Sequence, residues 1–382
     1  MDSSCARSKG TRMILCANPS AQFYSYQDEI EAAVLQVLRS GRYILGGEVE
    51  ALENEFADYI GVNTAIGVGN ATDALEIAMR ALDIRPGDEV RTVSHTAVAT
   101  VAAIEAAGAV PVLVDVDPIY YTLNPAQLQE VLSARTKAVI AVHLYGQAAD
   151  LDAISDFCTK NHLFLIEDVS QAHGGKWKEA RLGSIGQIAC FSCYPTKNLG
   201  AIGDAGLIAT NDASLGRRLR MLREYGWQNR YISDLVGRNS RLDELQAAIL
   251  RIKLRHLDSD NGRRQQIASQ YKNRLAVNVL ELPATRENSS HVFHLYVIAT
   301  QQRQELRQYL KGHGIQAGIH YPMPVHLQPA YKTRLRTAVD MSVTERLAEE
   351  VLSLPMYPEL LLADIARIID VVNSYFAEIS ST

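Results

Sequence analysis

The feature that most constrains the fold is a regular alternation, between residues 64 and 209, of short apolar segments with stretches of helical spacing. Most connections between the apolar segments, including residues 124–132, have the spacing of a helix. The alternation predicts an α/β fold with a mostly parallel, seven-stranded sheet covered by helices on both faces. The predicted strands are 64–69, 89–94, 110–116, 137–144, 163–167, 188–191 and 206–209.

The pattern changes after about residue 212, where longer helical stretches and isolated short elements replace the alternation. We therefore predict a large α/β domain at residues 1–250 and a smaller C-terminal α+β domain at 251–382. The polar residues 1–12 are expected to be disordered. The later elements are predicted as helices at 241–257, 261–275 and 304–312 and a strand at 291–300.

The composition limits the classes of partner that the chain can bind. Its formal net charge of -5 provides no broad basic surface for nucleic acid or a membrane. The 5 cysteines are scattered, show no metal-binding spacing and lie partly in apolar runs. We expect reduced thiols, no metal site and a cytoplasmic location. No segment has the length of a signal peptide or a membrane-spanning helix.

One lysine lies on a constrained turn directly after a predicted strand. Lys197 follows the apolar run that ends at Phe191, and Pro195 and Gly200 interrupt regular structure on either side of it. Ligands bind at the strand ends of open α/β sheets. A lysine amine becomes a nucleophile when partial burial lowers its pKa. Alone, Lys197 would be interpreted as a surface loop residue, so its predicted role depends on partners elsewhere in the chain.

Two further features fall at predicted strand ends. Asp168 ends a strand, and a carboxylate in such an apolar setting needs a cationic partner. Small residues at 70–72 start a helix, where N–H groups and the helix dipole favour an anion such as phosphate. Alone, each feature also fits a helix cap or an internal salt bridge. Together with Lys197 they form the set that pyridoxal 5′-phosphate requires, namely a Schiff-base lysine, a partner for the pyridinium nitrogen and a phosphate site.

Specific motifs extend this set over nearly the whole chain. They are residues 41–46 (GRYILG), 70–75 (NATDAL), 167–171 (EDVSQ), 192–197 (SCYPTK), 237–241 (GRNSR) and 320–326 (HYPMPVH). Taken together, these motifs resemble those of the DegT-type nucleotide-sugar aminotransferases, a branch of the aspartate aminotransferase fold. The resemblance implies a fold type I, pyridoxal-phosphate-dependent transferase. It also implies a homodimer with active sites shared across the interface.

The resemblance implies a role for each matching residue. Lys197 corresponds to the lysine that bonds to the cofactor and moves the proton, and Asp168 to the partner of the pyridinium nitrogen. Gln171 corresponds to a residue near the ring hydroxyl, and Asn239 to one that reaches the phosphate in the neighbouring subunit. The phosphate cradle corresponds to Ala71, Thr72 and Ser192. The positions that meet the sugar nucleotide are Tyr43, Tyr225, His320 and Tyr321.

Two positions depart from the family's pattern. Ala97 stands where members usually carry an aromatic ring that stacks on the cofactor, and His95 is predicted to supply a flat surface instead. Ala71 stands where glycine is common. Because a methyl group would be strained at positive φ, we expect an ordinary φ at Ala71.

The motif at residues 223–227 (REYGW) resembles members that aminate dTDP-3-keto-6-deoxyhexoses. We therefore predict amino transfer from L-glutamate to such a sugar, with a 4-keto or UDP-linked sugar as the alternative substrate.

A related branch that deoxygenates sugars carries histidine in place of Lys197, so this lysine argues against that branch. A non-catalytic, cofactor-binding regulator is the alternative of another class. A nicotinamide-dependent dehydrogenase lacks support, because no Gly-x-Gly-x-x-Gly turn follows an early strand.

Overall fold

The computed structural model describes residues 12–275, 279–338 and 340–380, so the predicted disorder of residues 1–11 lies outside the described residues. The helices are α1 (Pro19–Ser25), α2 (Gln27–Ser40), α3 (Gly47–Ile60), α4 (Ala71–Ala81), α5 (Val98–Ala106), α6 (Leu151–Lys160), α7 (Ala213–Leu222), α8 (Glu244–Arg274), α9 (Arg303–Gly312), α10 (Ser342–Glu350) and α11 (Leu362–Ser380). The strands are β1 (Thr64–Val68), β2 (Glu89–Val93), β3 (Val110–Val114), β4 (Thr136–Val142), β5 (Phe164–Asp168), β6 (Lys176–Trp177), β7 (Ala180–Arg181), β8 (Ile188–Ser192), β9 (Gly206–Thr210), β10 (Trp227–Asn229), β11 (Ile232–Ser233), β12 (Tyr296–Ala299), β13 (Arg336–Thr337) and β14 (Val351–Leu354).

The main sheet has the strand order β1-β9-β8-β5-β4-β2-β3-β13. Neighbouring strands from β8 to β13 run parallel, whereas β9 is antiparallel to both β8 and β1. The predicted α/β fold with a mostly parallel sheet is confirmed, and all seven predicted strands are present. The sheet has an eighth strand, β13, which pairs with β3 and was not predicted. Two residues are too few to show a strand periodicity in sequence.

Helices cover both faces of the sheet, so its strands are buried and mostly apolar. Every residue of β2 and of β9 is buried, including the polar side chains of Glu89, Arg91 and Thr92 in β2. One hydrophobic core surrounds the main sheet, and a second lies around β12, β14, α9 and α11. The two helical segments predicted at 241–257 and 261–275 form the single helix α8. The predicted domain boundary at residue 250 falls inside α8, and the division into two domains stays a prediction.

Two predicted elements are shorter in the structure. Residues 124–132 form only a 3-10 turn at Pro125–Gln127, not the predicted helix. The side chain of Gln127 hydrogen-bonds the backbone of Asp115 and Asp340, and these tertiary bonds favour the turn. The strand predicted at 291–300 is confined to β12, because the backbone before it bonds elsewhere. Val292 and Leu295 donate to the carbonyls of residues 146 and 145.

Across the described residues, none of the helices is long and apolar enough to cross a membrane.

Candidate functional site

A cavity of about 560 Å³ opens at the carboxyl ends of the parallel strands. Asp168 is the last residue of β5, and Ser192 is the last residue of β8. Lys197 follows β8 on the predicted turn, and its backbone N–H donates to the carbonyl of Tyr194 at 2.8 Å. The cavity lining unites six of the predicted site residues, namely Ala71, Thr72, Asp168, Gln171, Ser192 and Lys197.

The start of α4 forms one wall of the cavity. Asn70 caps the helix, since its Oδ1 accepts a hydrogen bond of 2.9 Å from the backbone N–H of Asp73. Ala71 is the first helical residue, so the ordinary φ expected there is confirmed. In the described part of the chain, the N–H groups of Ala71 and Thr72 have no acceptor. Free N–H groups at a helix N-terminus are suited to a phosphate.

Gly206 brings β9 into direct contact with this helix start. A Cβ atom at Gly206 would lie 2.6 Å from the carbonyl carbon of Asn70 and 2.7 Å from its oxygen. Gly206 pairs with Ser192 across β8 and β9. The missing side chain therefore lets Ser192 and the start of α4 face the same small space, as a phosphate cradle requires.

Asp168 is a buried carboxylate held only by neutral donors. Its Oδ2 accepts a hydrogen bond of 3.0 Å from the Thr100 hydroxyl, and its Oδ1 accepts one of 3.1 Å from the N–H of Ser170. The hydroxyl of Thr96 lies 3.2 Å from that of Thr100. Among the described residues, no cation forms an ion pair with this carboxylate. A buried charge needs a counter-charge, so the site fits a protonated pyridine nitrogen.

Lys197 presents an amine that is easily deprotonated. Burial lowers its pKa to about 8, although the charges of Asp168 and Cys193 oppose this shift. Its side chain lines the cavity together with Asp168. A partly neutral lysine amine that shares a cavity with a buried carboxylate can act as a nucleophile and as a base.

Gln171 joins the cavity to residues 320 and 321. Its Oε1 accepts from the N–H of Tyr145 at 2.8 Å, and its Nε2 donates to the Tyr321 hydroxyl at 3.0 Å. Burial raises the pKa of Tyr321 to about 12, so its hydroxyl stays protonated.

The Tyr145 hydroxyl donates to the carbonyl of His320. The side chain of His320 is 2.9 Å from the Ser353 hydroxyl, and burial together with the charge of Lys197 lowers its pKa to about 4.

His95 is buried and engaged by Tyr145. Its Nε2 lies 2.8 Å from the Tyr145 hydroxyl, which already donates its proton to the carbonyl of His320. His95 therefore donates this bond, and burial lowers its pKa to about 4. The neighbouring Thr96 and Ala97 line the cavity, whereas His95 lies outside the lining. Whether His95 stacks on the cofactor stays a prediction.

The remaining three predicted residues are exposed and lie outside this lining. The Tyr43 hydroxyl donates to the carbonyl of Leu38 at 3.1 Å. Tyr225 has a positive φ of 58° and packs against Trp227 with a ring separation of 5.0 Å. Asn239 forms an antiparallel bridge with Glu224. The roles of these residues stay predictions.

Sequence reasoning missed three residues that shape the cavity. Thr96 and Thr100 are spaced four residues apart where a helix follows a strand end, the same signal that identified residues 70–72. Gly206 gave no signal, because only the tertiary contact with Asn70 requires it.

In the part of the chain that the structure describes, no group of three or more His, Cys, Asp or Glu side chains could hold a metal ion.

Comparison with known proteins agrees with this geometry. A profile of the DegT/DnrJ/EryC1/StrS aminotransferase family matches residues 25–373. The chain is 44% identical over 356 residues to the dTDP-3-amino-3,4,6-trideoxy-alpha-D-glucose transaminase of Streptomyces venezuelae, covering 93% of this chain and 94% of that protein. It is 46% identical over 350 residues to the dTDP-3-amino-3,6-dideoxy-alpha-D-galactopyranose transaminase of Aneurinibacillus thermoaerophilus, covering 92% of this chain and 96% of that protein.

A solved structure extends the similarity to three dimensions. The crystal structure of S. venezuelae DesV in complex with a ketimine intermediate has a TM-score of 0.93 and 43% identity, covering 96% of this chain and 99% of that chain. The Bacillus subtilis protein NtdA, solved with its bound cofactor PMP, has a TM-score of 0.88 and 28% identity, covering 97% of this chain and 86% of that chain. The predicted fold type I and pyridoxal phosphate dependence are confirmed. The chain is a sugar aminotransferase that belongs to the DegT/DnrJ/EryC1/StrS family.

Proposed function

We propose that the protein transfers the amino group of L-glutamate to C3 of a dTDP-linked 3-keto-6-deoxyhexose. The observation that carries the proposal is the shared cavity of the Lys197 amine, the Asp168 carboxylate and the start of α4. The substrate class is supported by the names of the similar transaminases, which act on dTDP-linked 3-amino sugars. When bound, pyridoxal phosphate supplies an electron sink for the carbon that loses its proton.

Lys197 is the proton carrier in this proposal. With a pKa of about 8, a useful fraction of its amine is neutral near pH 7 and can accept a proton from the α-carbon of glutamate. The same amine can return a proton when the keto sugar is aminated. General base catalysis of this kind contributes about 10²–10⁴-fold.

Asp168 would hold the pyridine nitrogen of bound pyridoxal phosphate in its protonated, positively charged form. Each carboxylate oxygen already accepts one neutral hydrogen bond, from Thr100 or from the N–H of Ser170. Each oxygen therefore keeps a lone pair for an N–H group in the cavity. The buried carboxylate is in turn stabilised by the cation that it holds.

The phosphate would bind the free N–H groups of Ala71 and Thr72 and the Ser192 hydroxyl, beside the dipole of α4. Gln171 has one amide N–H left for the ring hydroxyl after its bond to Tyr321. Because Tyr321 accepts that bond, its own proton is available for a sugar oxygen. His320, next in the chain, is proposed to contact the same sugar.

We further propose a homodimer in which Asn239 of the partner subunit reaches the phosphate. Large apolar side chains near Asn239 support a protein interface, since Tyr231 is 73% exposed, Ile232 59% and Val236 85%.

Tyr43 and Tyr225 are also exposed and are proposed to contact the sugar nucleotide.

A cytoplasmic location is supported by the free thiols of Cys16, Cys158, Cys190 and Cys193.

The amino donor and the sugar acceptor are tested in two separate experiments, and the first of them uses the donor alone. Purified protein is saturated with pyridoxal phosphate, and its absorbance is recorded while L-glutamate is added without a sugar. We expect a spectral change and release of 2-oxoglutarate. Lys197→Ala should abolish both, whereas Lys160→Ala, on the exposed end of α6, should retain both. No spectral change with glutamate would favour the non-catalytic regulator and refute the proposed enzyme.

The acceptor is then identified by competition. The amino-loaded protein is offered dTDP-3-keto-6-deoxyglucose, its galactose epimer, a dTDP-4-keto sugar and a UDP-linked 3-keto sugar. We expect product and recovery of the original spectrum only with a dTDP-3-keto sugar. Turnover confined to the 4-keto or UDP-linked sugar would overturn the proposed substrate while leaving the aminotransferase activity intact.

A further inference from the structure

One carboxylate, that of Asp73, holds the residues on both sides of Asn239. The Ser240 hydroxyl donates to Asp73 Oδ2 at 2.6 Å, and the Arg238 guanidinium lies 2.9 Å from Asp73 Oδ1. Arg238 also pairs with Glu76, one turn further along α4. Both bonds to Asp73 carry charge and are therefore stronger than neutral hydrogen bonds.

The same short segment is also bonded to Gly69, just before α4, and to the end of α7. The N–H of Gly69 donates to the Ser240 hydroxyl at 3.1 Å, so that hydroxyl accepts one bond and gives its proton to Asp73. The N–H groups of Arg238 and Ser240 donate to the carbonyls of Leu222 and Arg223, each at 2.9 Å. The segment 238–240 is therefore fixed from both sides.

The side chain of Asn239 takes part in none of these bonds. Its residue is exposed, and within the described residues its side-chain amide makes no hydrogen bond. The amide is held at a defined place by its neighbours while its own donors and acceptor remain free. Such an arrangement suits a group that is presented to another molecule.

Asp73 also lines the cofactor cavity, beside Ala71 and Thr72. The side chain of Asp73 therefore lies at the phosphate turn of its own subunit and also bonds the segment that carries Asn239. We infer that Asp73 is a positioning residue that acts across the subunit interface, holding Asn239 of its own chain in place for the phosphate of the partner's cofactor. This inference rests on the proposed homodimer and on the proposed role of Asn239.

The inference predicts which subunit loses affinity for the cofactor when the bonds from Asp73 to Arg238 and Ser240 are weakened. Asp73→Asn keeps the shape of the side chain but removes its charge, which weakens the bonds to Arg238 and Ser240. Asn239 then loses its fixed position, and the site that it serves in the partner binds the cofactor less tightly. A purely local role would instead weaken the site of the subunit that carries the substitution.

Heterodimers with one intact lysine separate these two cases. Two differently tagged chains are co-expressed, and one of them carries Lys197→Ala, so that borohydride attaches the cofactor permanently only to the other chain. Mass spectrometry gives the pyridoxal phosphate concentration that labels half of the intact chain. The trans dimer carries Asp73→Asn on the Lys197→Ala chain, and the cis dimer carries it on the intact chain.

We expect the trans dimer to need about tenfold more cofactor than the reference dimer, which corresponds to the loss of one charge-assisted hydrogen bond. The cis dimer should change by less than about threefold. Ser240→Ala in trans should shift the concentration in the same direction. Asp83→Asn in trans should have no effect, because Asp83 pairs with Arg218 at the far end of α4.

Three outcomes would overturn the inference. They are an unchanged trans dimer, a defect confined to the cis dimer, and no effect of Asn239→Ala in trans. Each of these leaves the proposed function standing, because the glutamate reaction of the unchanged protein is measured separately. Failure of the unchanged protein to bind pyridoxal phosphate would refute the proposed function and this inference together.

Discussion

The hydroxyl of Thr100 donates a hydrogen bond of 3.0 Å to the carboxylate of Asp168, and both buried residues line the cofactor cavity. The bond joins the first turns of α5 to the last residue of β5. It orients the carboxylate whose charge the proposed pyridinium nitrogen requires.

Thr100→Val should therefore weaken catalysis without unfolding the protein. The valine keeps the shape of threonine but leaves one oxygen of Asp168 without its donor, which costs about 1.5–3 kcal/mol for a charged acceptor. We expect kcat to fall at least about tenfold and the absorbance of the bound cofactor to titrate at a different pH. Thr100→Ser retains the hydroxyl and should restore both properties, and an unchanged titration in Thr100→Val would contradict a role for this bond.

The pKa of Lys197 predicts how the apoprotein captures its cofactor. Only the neutral amine reacts, so the initial rate of cofactor uptake should rise with pH and reach half its maximum near pH 8. Stopped-flow absorbance measures this rate, with Lys197→Ala as the unreactive control. A half-maximum near the ordinary lysine value of about 10.4 would show that burial does not lower this pKa.

The same pKa determines the sign of a stability effect. Between about pH 8 and about pH 10.4 the unfolded chain binds a proton at Lys197 that the folded apoprotein does not bind. The contribution of Lys197 therefore raises the free energy of unfolding as the pH rises through that interval, and the folded apoprotein becomes more stable. Chemical denaturation of the apoprotein and of Lys197→Met at several pH values measures the difference, and a gap that stays constant with pH would be evidence against it.

Gly206→Ala should damage the phosphate cradle. The new methyl would lie 2.6 Å from the carbonyl carbon of Asn70, so either β9 or the start of α4 must shift. We expect a loss of about 1–3 kcal/mol in the free energy of unfolding and weaker cofactor binding. Gly262→Ala is the matched control, because it lies in α8 with open space around it and should gain up to about 1 kcal/mol. Equal behaviour of the two variants would rule out a close contact at Gly206.

Glu167 should hold the loop after β7 through its charge. Its carboxylate accepts hydrogen bonds from the backbone N–H groups of Gly183, Ile185 and Gly186. His143 donates to it from Nε2 at 3.1 Å, because Nδ1 of that ring accepts from the N–H of Ala149. Burial by itself would raise the pKa of Glu167, but these bonds lower it overall.

Glu167→Gln should consequently lower the free energy of unfolding by about 2–3 kcal/mol at neutral pH. A lowered folded pKa gives stability that is present above the unfolded value of about 4.3 and is lost as the pH falls through the folded value. The gap between the two proteins should therefore narrow below about pH 4. Urea titrations at both pH values measure it, with the exposed Glu179→Gln as the control, and a gap that widened in acid would contradict this assignment.

Local patterns in the sequence were sufficient for the main sheet and for the central part of the site. Apolar runs and helical spacing are properties of neighbouring residues, so they predicted the seven strands of the sheet. The lysine turn, Asp168 and residues 70–72 each lie at a strand end, and parallel strands bring such ends to one edge. Six predicted residues therefore line one cavity.

The remaining features depend on partners that are distant in sequence, and only the tertiary structure decided them. Thr100 meets Asp168 across 68 positions, and Ser240 meets Asp73 across 167. Strand β13 exists only because β3 offers it a free edge, and residues 124–132 remain a turn because Gln127 bonds to other parts of the chain. A hydrogen bond between distant residues leaves no periodic trace in either segment, so the sequence by itself determined which groups are present, and the fold decided which of them meet.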